Sequence, residues 1–544
     1  MTQDTRKHTS LMRSVYSVSA LTLVSRILGL VRDRVMLSAF GTGLESDAFV
    51  VAFRIPNLLR RLVAEGSLAA AFVPVFTQRL REDPAQARKA FCAAASYTAL
   101  LTTVITAVCM LYATEITEVF APGFIAGSEK SILTTQLTQI MFPYVVLVSL
   151  LALSSGVLNS LGVFAIPAAA PALLNIATIV GVLTLKDSDS ASIRIAAWSV
   201  LVGGMFALLP QLWKLSKLGF SLYPANPFGS EAVSQLLRLM LPSVVSASAY
   251  QLMIFVNTML ASMLAEGSSS YLFYADRVFQ FPLGVFSLAI ATAVLPQLSR
   301  HAADKNHTGM KESLIEALRW VTLINIPATA GLLLLGEPIV SVLFKTGATN
   351  EHGVHMIALA LSAFSLGLWP ISCQSVLIRA FIAKKKTTIP AIISVIAISA
   401  NIVLAISLMG PPNAGTDQIL GQCVAWLYAT MPLGQLGHVG LALAGTIASV
   451  LSLVMSYSLL STVGIHLPLR PFLKPLASTI LATLAMSAFI WGLLSMQLSD
   501  LALLCVGVPT SILIFGTLAS VLGIPEARTL TSRITCLVYK KRLG

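Results

Sequence analysis

The chain has 544 residues, of which 56% are hydrophobic and only 11% charged, and its mean hydropathy is +0.83. Soluble globular domains do not reach such values, so a soluble enzyme is excluded and a membrane protein implied. Whether the net charge of +13 marks a nucleic-acid partner or membrane topology depends on where Lys and Arg fall.

The first thirteen residues are polar, and the first apolar stretch is interrupted by Arg26, Arg32 and Arg34, so no cleavable signal is expected. Apolar runs long enough to cross a hydrocarbon core predict spans near 15–40, 47–78, 90–113, 133–158, 163–185, 193–214 and 233–264. Seven more follow near 269–298, 314–345, 354–382, 388–409, 437–463, 473–496 and 499–523, which makes fourteen. Barrel strands alternate over only about ten residues, so runs of this length specify an all-α polytopic membrane protein.

With the N-terminus placed in the cytoplasm, 24 of the 36 basic residues lie in or beside cytoplasmic segments, among them Arg79, Arg81, Arg88, Lys89 and the Lys384–Lys386 run. Only Lys130, Lys186, Arg194 and Lys345 fall on the other side, and eight lie at or within spans. This asymmetry accounts for the basic charge without nucleic acid and places both termini in the cytoplasm, as an even span count requires.

The chain also resembles itself. The stretch AFRIPNLLRRLVAEGSLAAAFVPVF (52–76) aligns with YADRVFQFPLGVFSLAIATAVLPQL (274–298), with Arg54 opposite Arg277 and Pro74 opposite Pro296. A repeat of about 222 residues holds six spans, an even number, so its copies enter the membrane in the same orientation. The expected division is an N-lobe at 1–225, a C-lobe at 226–465, and an accessory pair of spans with a basic tail at 466–544. Chance similarity between two proline-containing apolar helices is the alternative. Between spans eleven and twelve, the segment 411–436 is rich in Gly and Pro and lacks Lys and Arg, which reads as an external loop along the membrane surface.

A charge at mid-bilayer costs roughly 2.5–3.5 kcal/mol on insertion scales, yet Arg26, Arg32, Arg34, Arg54, Arg60 and Arg61 stand in or beside the first two spans. Positions seven apart nearly share a helical face, which groups Arg26 with Asp33, and Asp47 with Arg54 and Arg61. Glu65 sits one turn beyond Arg61, suitably placed to pair with it. Even complete pairing with Asp33, Asp47 and Glu65 leaves three arginines over, which predicts a cationic cavity. Asp276 and Arg277 begin the eighth span at the repeat position of Phe53 and Arg54. The competing reading is a lattice of ion pairs that only fixes helix register. An anionic ligand would supply the missing partners, because guanidinium forks bind phosphate oxygens in bidentate fashion.

Enzymatic chemistry finds no purchase. There is no HExxH, Walker loop or GxSxG, and the six cysteines are scattered without ligand spacing. No metal site and no cofactor are expected.

The runs SRILGLVRDRVMLSAFGTGLESDAFVVAFRIPNLLRRLVAEGSLAAAFVPVF (25–76) and YADRVFQFPLGVFSLAIATAVLPQLSR (274–300) closely resemble the MurJ, or MviN, family of lipid II flippases, and the resemblance extends over the whole chain. It implies the fold of the multidrug, oligosaccharidyl-lipid and polysaccharide exporter superfamily: two pseudo-symmetric six-helix lobes plus two C-terminal helices forming a groove for a lipid tail. The implied cargo is lipid II, the undecaprenyl-pyrophosphate-linked peptidoglycan precursor. The family's cavity arginines match Arg26, Arg32, Arg60 and Arg277, and its important acidic position in the second span matches Asp47, so these are the expected substrate-binding residues. Arg61 and Glu65 also coincide with charged positions of the family motif, and with Asp33, Arg54 and Asp276 from the helical phase and the repeat they are the expected supporting charges. Some relatives hold sodium with carboxylates in the seventh and eleventh spans, where this chain offers only polar residues such as Asn257 and Asn401, so that site is not carried over.

The expected function is therefore export of lipid II by alternating access across the bacterial inner membrane, driven by the membrane potential or an ion gradient. Lipid II, membrane lipids and other cell-wall synthesis proteins are the expected partners. An exporter of another lipid-linked glycan or of drugs, and a non-transporting scaffold of wall synthesis, are the alternatives.

Overall fold

The computed structural model describes residues 2–61, 69–184, 190–412, 419–468 and 470–529, and these are helical almost throughout. Packing divides the chain into two units: Met1–Ser270 with Thr346–Asn350 and Pro412–Ala425, and Tyr271–Lys345 with Glu351–Pro411 and Trp426–Gly544.

The first unit contains α1 (Thr2–Phe40), α2 (Leu44–Leu59), α3 (Ala69–Glu82), α4 (Pro84–Leu111) and α5 (Ala113–Phe120). It continues through α6 (Glu129–Met141), α7 (Tyr144–Ser160), α8 (Ala165–Leu183), α9 (Ser190–Lys217) and α10 (Glu231–Ser262). Pro84 starts α4 with its fixed φ, behind Asp83, whose carboxylate accepts from Ala85 N at 2.8 Å. Lipid tails are as apolar as Leu, so helices associate through close packing, and small residues let backbones approach. Gly181 meets Ser199, and Gly203 meets Leu174, across the α8–α9 crossing, while Gly204 accommodates Tyr144 of α7. Met36, Phe53, Leu137, Met141 and Val200 fill the core around α1, α2, α6 and α9, and a second core gathers Phe72, Phe76, Phe91, Leu153 and Leu215.

The described helices that follow are α11 (Ser268–Pro282), α12 (Leu288–Ala303), α13 (His307–Phe344), α14 (Glu351–Ser365), α15 (Leu368–Ala383) and α16 (Thr388–Met409). After α16 come α17 (Ile419–Thr430), α18 (Gly437–Leu459), α19 (Arg470–Leu494) and α20 (Asp500–Val521). Gly440 lets α18 lie against the Leu408 carbonyl of α16, so the second unit also joins two consecutive spans by small-residue packing. Leu335, Met486, Ile490 and Leu503 bind α13 to the last two helices, whose outer faces expose Leu481, Leu484, Trp491, Ile512 and Leu513. Exposed apolar faces of this kind suit contact with lipid.

Eleven helices among the described residues are long and apolar enough to cross a membrane, and they coincide with the third to sixth and the eighth to fourteenth spans expected from sequence. The remaining three expected spans fall on α1, on α2 with α3, and on α10, outside the eleven counted among the described residues. Within the 411–436 segment lies α17, which exposes Trp426.

A π turn occupies Leu283–Ser287 between α11 and α12. Farther along, Ile166-Pro167-Ala168 at the start of α8 recurs as Ile389-Pro390-Ala391 at the start of α16. In the second unit the π turn is held by a buried polar chain. The Ser372 hydroxyl donates to Ser287 Oγ at 2.7 Å, and Ser287 Oγ to Asn325 Oδ1 at 3.1 Å.

Candidate functional site

The arginines of the first two helices do not share one environment. Arg32 on α1 is almost buried and gripped on two sides: Nη2 lies 2.6 Å from Asp33 Oδ1, and Nη1 donates to Asn175 Oδ1 of α8 at 3.1 Å. Asn175 in turn donates from Nδ2 to the Ser25 carbonyl at 3.1 Å, tying α8 to α1. The Arg32 guanidinium also stands 6.0 Å from the Phe53 ring centroid, a favourable place for a cation. Helical phase groups Asp33 with Arg26, yet its carboxylate goes to the neighbouring Arg32, and Arg26 is exposed on α1.

Asp47, in the first turn of α2, is buried and accepts four hydrogen bonds. Lys130 Nζ donates to Oδ2 at 2.8 Å, Gly267 N to Oδ2 at 2.8 Å, and Ser270 N and Oγ to Oδ1 at 2.9 and 2.7 Å. The carboxylate thus ties α2 to the start of α6 and to the turn after α10. Lys130, which sequence alone assigns to an outer loop, is its ion-pair partner and also rests 4.5 Å from the Phe124 ring centroid.

Arg54 sits two turns farther along α2 and donates from Nη1 to Thr258 Oγ1 of α10 at 2.7 Å. Arg60 follows the end of α2, and its Nε donates to Asn57 Oδ1 at 2.7 Å. Arg60 lines a cavity of about 580 Å3 enclosed by α3, α7, α8 and α9. Its polar groups include Ser155, Asn159 and Tyr144, while Pro74, Pro167, Pro171 and Leu174 supply much of the apolar wall. Arg61 is half-buried beside Arg60, and Glu65, its expected partner, lies outside the described residues.

In the second unit, Asp276 accepts a short hydrogen bond from Gln280 Nε2 one turn away. The Arg277 guanidinium packs 4.7 Å from the Phe273 ring centroid.

Of the expected site residues in the first unit, the structure places Arg60 on the cavity and Arg32 on α1 against α8, and commits Asp47 to its own chain. Asp47 is therefore committed to Lys130 and to amide and hydroxyl donors rather than to Arg54, with which helical phase groups it. Sequence reasoning missed Lys130, Asn175 and Ser270. The Gly267-Ser-Ser-Ser run was a visible signal, since a helix start presents free N–H groups to a carboxylate. Lys130 gave none, because its partner lies 83 residues away in the chain.

Two repeated sets of apolar helices and an arginine-bearing cavity define the class: a polytopic membrane protein of the transporter kind. A solved multidrug resistance MATE family transporter of the MOP superfamily, in an inward-facing conformation, shares this fold at a TM-score of 0.62 and 14% identity, over 81% of this chain and 96% of that one. The profile described as lipid II flippase MurJ matches residues 36–506, and the chain belongs to that family. The probable lipid II flippase MurJ of Vibrio cholerae is 34% identical over 501 residues, 90% of each chain. The lipid II flippase MurJ of Burkholderia cenocepacia is 33% identical over 470 residues, 86% of each. A solved lipid II flippase MurJ in an inward closed conformation aligns at a TM-score of 0.75 and 26% identity, covering 94% of this chain and 99% of that one.

Proposed function

We propose that the protein is a flippase that carries lipid II from the cytoplasmic to the outer leaflet of the bacterial inner membrane, a transporter rather than a catalyst. The observation that carries this reading is Arg60 on the wall of a partly polar cavity within the first unit, in a chain whose relatives bear the name lipid II flippase. Arg26, Arg32, Arg60 and Arg277 hold the pyrophosphate, whose oxygens suit guanidinium forks. Asp47 serves the same site by fixing the helix that bears Arg54 and leads to Arg60. Two six-helix lobes alternate access to the cargo, and the last two helices, with their apolar outer faces, accompany the polyprenyl tail.

Both termini lie in the cytoplasm. An inside-negative membrane potential assists export of an anionic headgroup by roughly 2.3 kcal/mol per charge per 100 mV, so no bound cation is needed to drive it. Depletion in the source bacterium, with lipid II sidedness followed by an external probe, tests the reading. Outer-leaflet lipid II should vanish; its persistence with unaffected growth would overturn the cargo assignment. Depolarising sealed vesicles should slow headgroup exposure, and unchanged exposure would remove the potential as the driving force.

A further inference from the structure

The first unit contains a second cavity, of about 360 Å3, that the transport reading does not use. It lies where α3 ends, α4 begins and the connection from α9 reaches α10. Arg79, Gln86, Lys89, Tyr223, Asn226 and Ser230 line it, and every one of these side chains can donate a hydrogen bond. Asn226 uses Oδ1 to accept from Phe228 N at 2.9 Å, which leaves its Nδ2 as a donor. Ser230 precedes α10 without making a side-chain cap, so no serine oxygen occupies the first N–H groups of this 32-residue helix. That end of the helix carries partial positive charge, offset in part by the Glu231 carboxylate in its first turn.

Charge and geometry agree. Arg79 is steadied by Glu231, 3.2 Å from Nη2, whose side chain is 76% exposed and absent from the cavity lining. Lys89 has no acidic partner among the described residues. Arg88 lies 5.1 Å from the Tyr223 ring centroid and holds that ring in place. Beside the opening, Leu222 and Phe228 are exposed, and farther along α9 Trp213 is exposed with Lys217 Nζ 4.1 Å from its ring centroid. The bias of positive residues toward one membrane face explains Arg79 and Lys89 singly. It does not explain a concave site in which two cations, neutral donors and an uncapped helix start converge without a carboxylate in the lining.

We propose that this cavity is a binding site for a phosphate group, carried either by an anionic phospholipid headgroup whose chains rest on the apolar residues beside the opening or by free phosphate. Occupancy fastens the α9–α10 connection to α3 and α4. This site is separate from the one assigned to the pyrophosphate of the cargo, and its test does not depend on transport.

The full chain in detergent is titrated with dioctanoyl phosphatidylglycerol, dioctanoyl phosphatidylcholine and sodium phosphate, and binding is followed by the thermal unfolding midpoint and by native mass spectrometry. Phosphatidylglycerol should bind saturably and phosphatidylcholine should not. Lys89→Gln, an exposed substitution compatible with folding, should weaken binding about tenfold or more, and Asn226→Ala should weaken it less. Sodium phosphate that competes with phosphatidylglycerol and loses affinity in Lys89→Gln identifies the free anion as sufficient; failure to compete identifies the lipid. Equal binding of the two lipids, no binding of any anion, or an unchanged affinity in both variants overturns the proposal.

Discussion

Asp47 accepts hydrogen bonds from a lysine, two backbone amides and a serine hydroxyl, all from segments other than its own helix. Removing one member of a buried, hydrogen-bonded ion pair strands the rest, at a cost of about 3–5 kcal/mol. Asp47→Ala should therefore lower the thermal unfolding midpoint in detergent sharply, and Lys130→Met less. Combining them should cost less than the sum, since the two substitutions remove one shared interaction. Arg60 plays a different part. It stands on the wall of the cavity, so Arg60→Ala should lower lipid II translocation, followed by headgroup exposure in sealed vesicles, by roughly ten- to a hundredfold, the worth of a charged hydrogen bond. Equal loss of stability and activity in Arg60→Ala would instead favour a lattice of ion pairs.

Between elements, the closest approaches are set by glycine. Gly347 has φ +53°, and a Cβ there would lie 2.2 Å from the Ser38 carbonyl oxygen at the end of α1. The neighbouring Ala348 N donates to that same carbonyl at 3.1 Å, and Thr349 Oγ1 to the Leu37 carbonyl at 3.0 Å. Gly347→Ala must break this seam or strain the backbone, and should destabilise by about 1–3 kcal/mol, read from the unfolding midpoint. The Ser287–Asn325–Ser372 chain should respond differently. Ser372→Ala leaves Ser287 Oγ short of a buried donor and should cost about 1–3 kcal/mol, read from the unfolding midpoint. Element positions were legible because membrane helices announce themselves by run length: the expected span at 388–409 coincides with α16. The seam at Gly347 and the serine–asparagine chain were not legible. Both depend on contacts between residues far apart in sequence, and neither Gly nor Ser is unusual in an apolar helix or a turn.

For the molecule as a whole, we propose from the distribution of basic residues that the α16–α18 connection lies outside and both termini inside. Cys423 on α17 is exposed, so in a variant retaining it as the sole cysteine, a membrane-impermeant maleimide should label intact cells. Labelling that requires permeabilisation would invert the topology. The charge pattern also made the site partly legible, because arginine inside an apolar run is costly enough to need a reason. It could not divide the arginines among roles: Arg32 is held by Asp33 and Asn175, whereas Arg60 faces a cavity, and the difference lies in which helix happens to pack alongside.

The π turn at Leu283–Ser287 carries a further implication. A π turn records the insertion of one residue into a helix, an event tolerated only where the surroundings absorb the shifted register. Here α15 and α13 absorb it, since Ser372 and Asn325 both meet the Ser287 hydroxyl. The helical phase of α11 therefore does not carry across the turn into α12, and a stripe of side chains counted from Asp276 and Arg277 changes face at Ser287.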